Sequence, residues 1–336
     1  MRMVAFIRSL GKGYSALQKF SLYLNSPPPM AHASYRSAFS KLHKATKQVA
    51  SDSMMAAAEE VRSNAKLDVP GPIDCQSSFD GTWQIRGHAS HNGVVTAISV
   101  DTGKCLDIEV LCNICKSCQC WESKKGTVEY DLWKVKHVCK MNHGGSAGAT
   151  EAVGSVRIFS RSEQTRNLRY THFLGDGDSS SFKKVVESKP YGNTLVEKLE
   201  CVGHVQKRCG TRLWRLKTEH KTLKLKDGKG LGGAGRLTDK IIDTLQNYFG
   251  LAIRKNAGNL KQMIADVNAI LPHVASSEAN PMHDKCPDGV DSWYKYKQNP
   301  ESYKHKNGLP AAVIEHIQPV FNGLADESLL KKMSSW

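Results

Sequence analysis

The sequence predicts an α/β fold: a mixed sheet preceded by helices, interrupted by a Cys/His-rich loop and followed by an all-helical region. Three observations predict it. Apolar residues recur every three to four positions through the first 66 residues and again after residue 228. Between these, short runs at 78–85, 93–100 and 105–111 alternate with a period of two, and runs at 168–175 and 195–202 read as further strands. Turn chemistry at Asn92-Gly93 and Asp101-Thr102-Gly103 joins the first three runs as tight hairpins.

The elements follow in order. Tyr35, Phe39, Leu42, Thr46, Val49 and Ser53 keep helical spacing, and Pro27, Pro28 and Pro29 separate this long helix from a short first one. Residues 68–74 read as a linker, and residues 112–143 as a Cys/His-rich loop. The small residues after it open a helix, a strand at 168–175 ends in GDGD, and a helix over 179–187 follows. A strand at 195–202 leads into a basic helix at 204–216. Three consecutive strands and then α-β-α-β-α is the order of an RNase H-like sheet. Beyond it, Thr238 and Asn259 cap two amphipathic helices, the second stopped at Pro272. Pro310 opens a further helix kinked at Pro319. The expected division is 1–68 helical, 69–227 sheet core and 228–336 helical region.

Charge narrows the partners. Lys and Arg number 47 against 32 Asp and Glu, a net of +15, which favours a polyanion through counterion release. No stretch approaches the roughly 18 apolar residues of a membrane span. The N-terminal apolar run covers only Met3 to Ile7, so no signal peptide is read and the ten Cys are expected in a reducing compartment. The glycine-rich run at 228–235 lacks the Gly-Lys-Ser/Thr ending of a phosphate-cradling loop.

Two sets of side chains carry candidate chemistry. Asp80 lies in the first strand, and Asp176 and Asp178 just past the fourth, which is its neighbour in such a sheet. Carboxylates converging there need a cation, and Mg²⁺ or Mn²⁺ held by them supports in-line displacement at phosphorus. Asp176 is favoured because it directly follows the apolar strand, while Asp178 is placed to cap the next helix. Cys115-x2-Cys118 and Cys139-x3-His143, with 20 residues between the pairs, suit a structural Zn²⁺ site. Cys112 or Cys120 are substitutes, and reduced core thiols are the alternative. Cys201-x2-His204 and His283-x2-Cys286, separated by 78 residues, could close a second zinc site that pins the helical region to the sheet.

Residues 201–262 hold 14 Lys/Arg and 4 Asp/Glu, a local net of +10. Lys207, Arg208, Arg212 and Arg215 recur along the helix after Cys201 and are the candidate phosphate contacts.

Together these blocks resemble the Mutator-like transposase domain. The residues carrying the resemblance are FDGTW at 79–83 with Arg86, Gly87, His88, Asn92 and Gly93; LGDGD at 174–178; Pro190-Tyr191-Gly192; ECVGHVQKR at 200–208 with Gly210, Thr211 and Arg212; DGKGLGG at 227–233; Leu237-Thr238-Asp239; and HDKCPDGVDSW at 283–293. The resemblance implies a DDE-type polynucleotidyl transferase. Its first acid falls on Asp80, its second on Asp176 or Asp178, and its Cys-x2-His signature on Cys201 and His204. It further implies DNA (transposon ends) as partner and a nuclear location, with self-association left open. The V(D)J recombinase catalytic subunit is similar in sharing a zinc ion between a Cys pair after the second acid and a later His pair, which motivates joining Cys201 and His204 to His283 and Cys286. The family's third acid is a Glu in an Asn-Glu-Ser block. This sequence carries no such block up to Trp336, and Glu315 and Glu327 sit in amphipathic helical sequence. The expectation is a transposase-derived DNA-binding protein with an incomplete acid set. The alternative is a zinc-stapled DNA-binding or interaction module without catalysis.

Overall fold

The computed structural model describes residues 1–66, 70–85, 90–175, 179–286, 295–299, 301–305 and 308–333. The N-terminal segment forms α1 (Arg2–Ser9), α2 (Tyr14–Tyr23) and the long α3 (His32–Asn64). One more helix forms than expected, because Gly11 at φ 67° ends α1 and Gly13 caps α2. Val4, Ile7, Leu17 and Tyr35 pack together at one end of α3. At its other end Ala57, Ala58 and Val61 join the core of the sheet.

Five strands make that sheet: β1 (Ile73–Trp83), β2 (Asn92–Ser99), β3 (Cys105–Cys112), β4 (Leu168–Gly175) and β5 (Glu197–Glu200). Their order is β3-β2-β1-β4-β5. β1 pairs antiparallel with β2, and β2 with β3. β1 pairs parallel with β4, and β4 with β5. β1 starts before the expected residue 78, since Ile73, Cys75, Ser77 and Phe79 alternate inward from residue 73. Asn92-Gly93 is not a turn: Gly93 pairs with Trp83 inside the ladder. Glycine is required there for closeness, because a Cβ would stand 2.7 Å from Cγ2 of Thr150. The second turn forms as expected, with Gly103 at φ 66° donating its N–H to Ser99 O at 3.0 Å.

The expected Cys/His loop contains α4 (Lys116–Trp121) and α5 (Val128–Lys136). After it, α6 (Ala147–Arg166) crosses the sheet, and α7 (Ser179–Ser188) follows β4. α6 lies so close to β2 that a Cβ on Gly154 would stand 2.4 Å from Val95. Phe79 stacks between Phe159 of α6 and Phe173 of β4, with ring centroids 4.8 and 4.9 Å away. Each such buried ring stabilises the fold by about 1.5–3 kcal/mol relative to exposure. Buried Asp107 in β3 accepts from Arg161 at 2.9 and 3.1 Å and lies 3.5 Å from Arg166, so its charge is matched.

β5 is shorter than expected, because Leu195 is exposed and Cys201 already caps α8 (Val202–Glu219). α9 (Asp239–Lys255), α10 (Leu260–Ala275), α11 (Lys295–Gln298), α12 (Ala311–Leu324) and α13 (Glu327–Lys331) follow. Thr238 and Asn259 cap α9 and α10 through the N–H groups of Ile241 and Gln262. Pro272 does not stop α10: buried Ile270, Leu271 and His273 hold its last turn through Ala275. α8, α9, α10, α12 and α13 share a second apolar core around Leu213, Leu245, Phe249, Ile270 and Ile317. The end of this layer meets the sheet where Glu200 of β5 donates its N–H to Lys332 O at 3.1 Å. Among the described residues no helix is long and apolar enough to cross a membrane.

Candidate metal centres and the acid-bearing strands

Among the described residues these elements build two groups of Cys and His side chains. In the first, Cys115 caps α4 and Cys118 lies one turn along it. His137 ends α5, and Cys139 follows two residues later in extended chain. Cys115 Sγ and Cys118 Sγ lie 3.4 and 3.3 Å from His137 Nε2, and Cys118 Sγ lies 3.6 Å from Cys139 Sγ. All four ligand atoms are within 4.8 Å of one another. Around tetrahedral zinc, ligand atoms at Zn–N and Zn–S bond lengths are separated by about 3.3–3.8 Å. The group therefore has the dimensions of a zinc site and could hold that ion.

The spacing drawn from sequence placed His143 in this site, and the structure puts His137 there instead. Residues two apart in extended chain face the same side, so His137 and Cys139 present their ligand atoms together. His143 is buried elsewhere: its Nε2 lies 3.1 Å from Ser146 O, and its N–H bonds Cys112 O. Cys112 and exposed Cys120 are outside the group. The His137 ring is held by stacking on Trp133 at 4.4 Å, and Trp133 stacks on Trp121 at 5.0 Å. Backbone N–H groups of Lys140 and Cys118 aimed at Cys115 draw its thiol below the usual range, while burial pushes the Cys118 thiol up.

The second group is buried in the helical layer. His273 Nδ1 of α10 lies 3.2 Å from His283 Nδ1, and Cys286 Sγ is 3.6 Å from each. These separations also match zinc ligands. Burial, with His283 and His305 beside it, pushes the His273 imidazole down to about 4, leaving a neutral ring with a lone pair to give. His273 was not singled out in the sequence, because it follows Pro272, where the helix was expected to stop, whereas α10 runs on to Ala275. Cys201 and His204, expected to share this site, belong to neither group among the described residues. The segment bearing Cys286 packs instead on Ala269 and Tyr248, which turns its ligands toward α10.

Asp80 is exposed on β1, one residue beyond the buried Phe79. Asp176 and Asp178 lie outside the described residues. The parallel ladder of β1 and β4 closes with Ser78 opposite Leu174. Sequence reading missed Glu151 of α6, which accepts a 3.1 Å hydrogen bond from Ser181 of α7. Its side chain also lies against Gly81, where a Cβ would be 3.2 Å from Cγ of Glu151.

On α8, buried Val205, Cys209 and Leu213 face the core, leaving Lys207, Arg212 and Arg215 exposed. Arg215 bonds Glu219 at 2.7 Å. Arg208 is turned inward and pairs with the buried carboxylate of Glu200, which Lys198 also approaches at 3.2 Å.

A five-stranded mixed sheet flanked by helices, with Cys/His groups that could hold a metal ion, makes this a mixed α/β protein with candidate metal centres. The family model described as Mutator, Mutator-like transposase, matches residues 1–293, and the chain belongs to that family. Comparison with curated proteins and with solved structures gave no match.

Proposed function

We propose that this chain is a transposase-derived DNA-binding protein on an RNase H-like sheet, whose ancestral chemistry is metal-dependent strand cleavage and transfer. The observation that carries the reading is the parallel ladder of β1 and β4. It closes at Ser78 and Leu174, and each strand's acid, Asp80 or Asp176, comes two residues later in sequence. The strand order β3-β2-β1-β4-β5, antiparallel then parallel, supports the fold reading. Family membership supports DNA as the partner. In this reading Asp80 and Asp176 or Asp178 hold Mg²⁺ or Mn²⁺, the ion that would activate the attacking hydroxyl and stabilise charge at phosphorus. Lys207, Arg212 and Arg215 contact phosphates, and Zn²⁺ at the two Cys/His groups is structural.

The test is DNA binding by anisotropy together with divalent-metal-dependent nicking, comparing the full chain with Asp80→Ala. Binding that is kept by the variant, with nicking that is lost, supports the acid assignment. Absence of DNA binding at low salt overturns the whole reading.

The second reading, a zinc-stapled DNA-binding module without catalysis, is favoured by one observation. Glu315, which matches the family's third acid poorly in sequence, forms an exposed ion pair with Lys226 at 2.6 Å in the helical layer. Under this reading no nicking appears with either metal, and Asp80→Ala changes nothing.

A further inference from the structure

The buried His/Cys group has a directed chain of polar contacts behind it. If a metal is held by His273 Nδ1, His283 Nδ1 and Cys286 Sγ, His283 must carry its proton on Nε2. That atom lies 2.7 Å from His305 Nε2 and 3.0 Å from Ser276 Oγ. Ser276 Oγ already accepts the Met282 N–H at 3.0 Å. His305 can accept at Nε2 only if its own proton is on Nδ1, and Nδ1 lies 3.3 Å from Glu278 Oε1. The same carboxylate oxygen accepts the His305 backbone N–H at 2.6 Å. The chain then runs in one direction, from the ligand atom through His305 to the Glu278 carboxylate, which His305 Nδ1 faces at ion-pair distance and which the His305 backbone N–H bonds directly. His305 has a side-chain exposure of 7 %, whereas Glu278 is 67 % exposed. Aromatic packing fixes the ring planes. Tyr296 stacks on His283 at 3.8 Å, and Tyr303 meets His305 edge-on at 5.1 Å. Tyr296, Tyr303 and His305 all follow residue 293, where the family match ends.

We propose that Glu278 and His305 are positioning residues that lock His283 as an Nδ1 ligand and strengthen metal binding at His273, His283 and Cys286. The proposal rests on the zinc reading of that group. Hydrogen-bond partners behind a ligating imidazole fix its tautomer and raise its basicity, and their loss weakens metal binding by about 10- to 100-fold. A Glu–His–His chain of this kind suits a borderline-soft divalent ion such as zinc.

The test uses the full chain loaded with Zn²⁺ and titrated with a chromophoric chelator, so that the Cys115 group serves as the internal reference. His305→Ala and Glu278→Ala are expected to release one of two zinc ions about 10- to 100-fold more readily, with the other unchanged. His305→Gln, whose amide oxygen can still accept from His283, recovers part of the loss. Nitrogen-15 spectra of the loaded wild type should show His283 protonated at Nε2 alone. Wild-type affinity in His305→Ala with both ions bound overturns the chain and leaves the metal site standing. An unchanged zinc count in His273→Ala removes the metal site, and the proposal with it.

Discussion

Glu151 of α6 and Gly81 of β1 are in direct contact, with the glycine leaving no room for a Cβ beyond 3.2–3.3 Å from the Glu151 side chain. The same carboxylate receives the Ser181 hydroxyl of α7. One side chain thus ties β1, just after Asp80, to α7, which follows the GDGD block in sequence. Gly81→Ala should force Glu151 aside and destabilise the protein by about 1–3 kcal/mol, read from the urea midpoint. Combining it with Glu151→Ala should give a coupling of about 0.5–3 kcal/mol. Additive effects would show that the contact carries no energy.

Zinc content separates the histidines of the first group. His137→Ala should lose one zinc ion, and His143→Ala should keep both, as measured by mass spectrometry under native conditions. The reverse result would restore the Cys139-x3-His143 pairing.

Metal removal has a local consequence. α4 and α5 bury no residue of their own, so their order depends on the four ligands. Chelation should open residues 112–143 to proteolysis while β1 to β5 remain protected in hydrogen exchange.

The helical layer should respond to acid in the zinc-free protein. His273 titrates near 6.5 when unfolded and is pushed to about 4 by burial when folded. The unfolded chain therefore binds a proton over that window that the folded chain refuses. Stability contributed by neutral His273 is complete above about 6.5 and is lost as pH falls toward 4, by up to about 3 kcal/mol at 1.36 kcal/mol per unit. His273→Gln should flatten the curve in this range, and an unaltered slope would count against the burial argument.

Cations on α8 should divide into two behaviours. Lys207→Ala should weaken DNA binding and reduce its salt slope by about one, with thermal stability unchanged. Arg208→Ala should destabilise the fold, because it strips a partner from buried Glu200. Equal effects of both substitutions on binding alone would place Arg208 at the DNA surface after all.

The elements most legible in the sequence were those whose patterns are local. β4 coincides with the expected 168–175 run because Leu168, Tyr170, Phe173 and Leu174 mark it as a buried strand. Thr238 and Asn259 announced their helices through capping chemistry. Asn92-Gly93 misled because a glycine demanded by Thr150, distant in sequence, looks the same as a turn glycine. Likewise His137 and His273 were hidden by sequence templates. The first sits in an x1 pair created by extended chain after α5, and the second belongs to a helix that meets Cys286 only through folding. The acids were legible as motif positions, but the contact of Glu151 with Gly81, the residue after Asp80, depends on how α6 crosses the sheet.

The stacked column of His137, Trp133 and Trp121 gives the molecule a built-in optical probe. Two indoles in van der Waals register with a ligand imidazole make their emission sensitive to what that imidazole binds. Occupancy of the first Cys/His group can then be followed in unlabelled protein by a change in tryptophan fluorescence, silent toward events at the other group. Trp121→Phe would be expected to dim that signal without altering zinc stoichiometry.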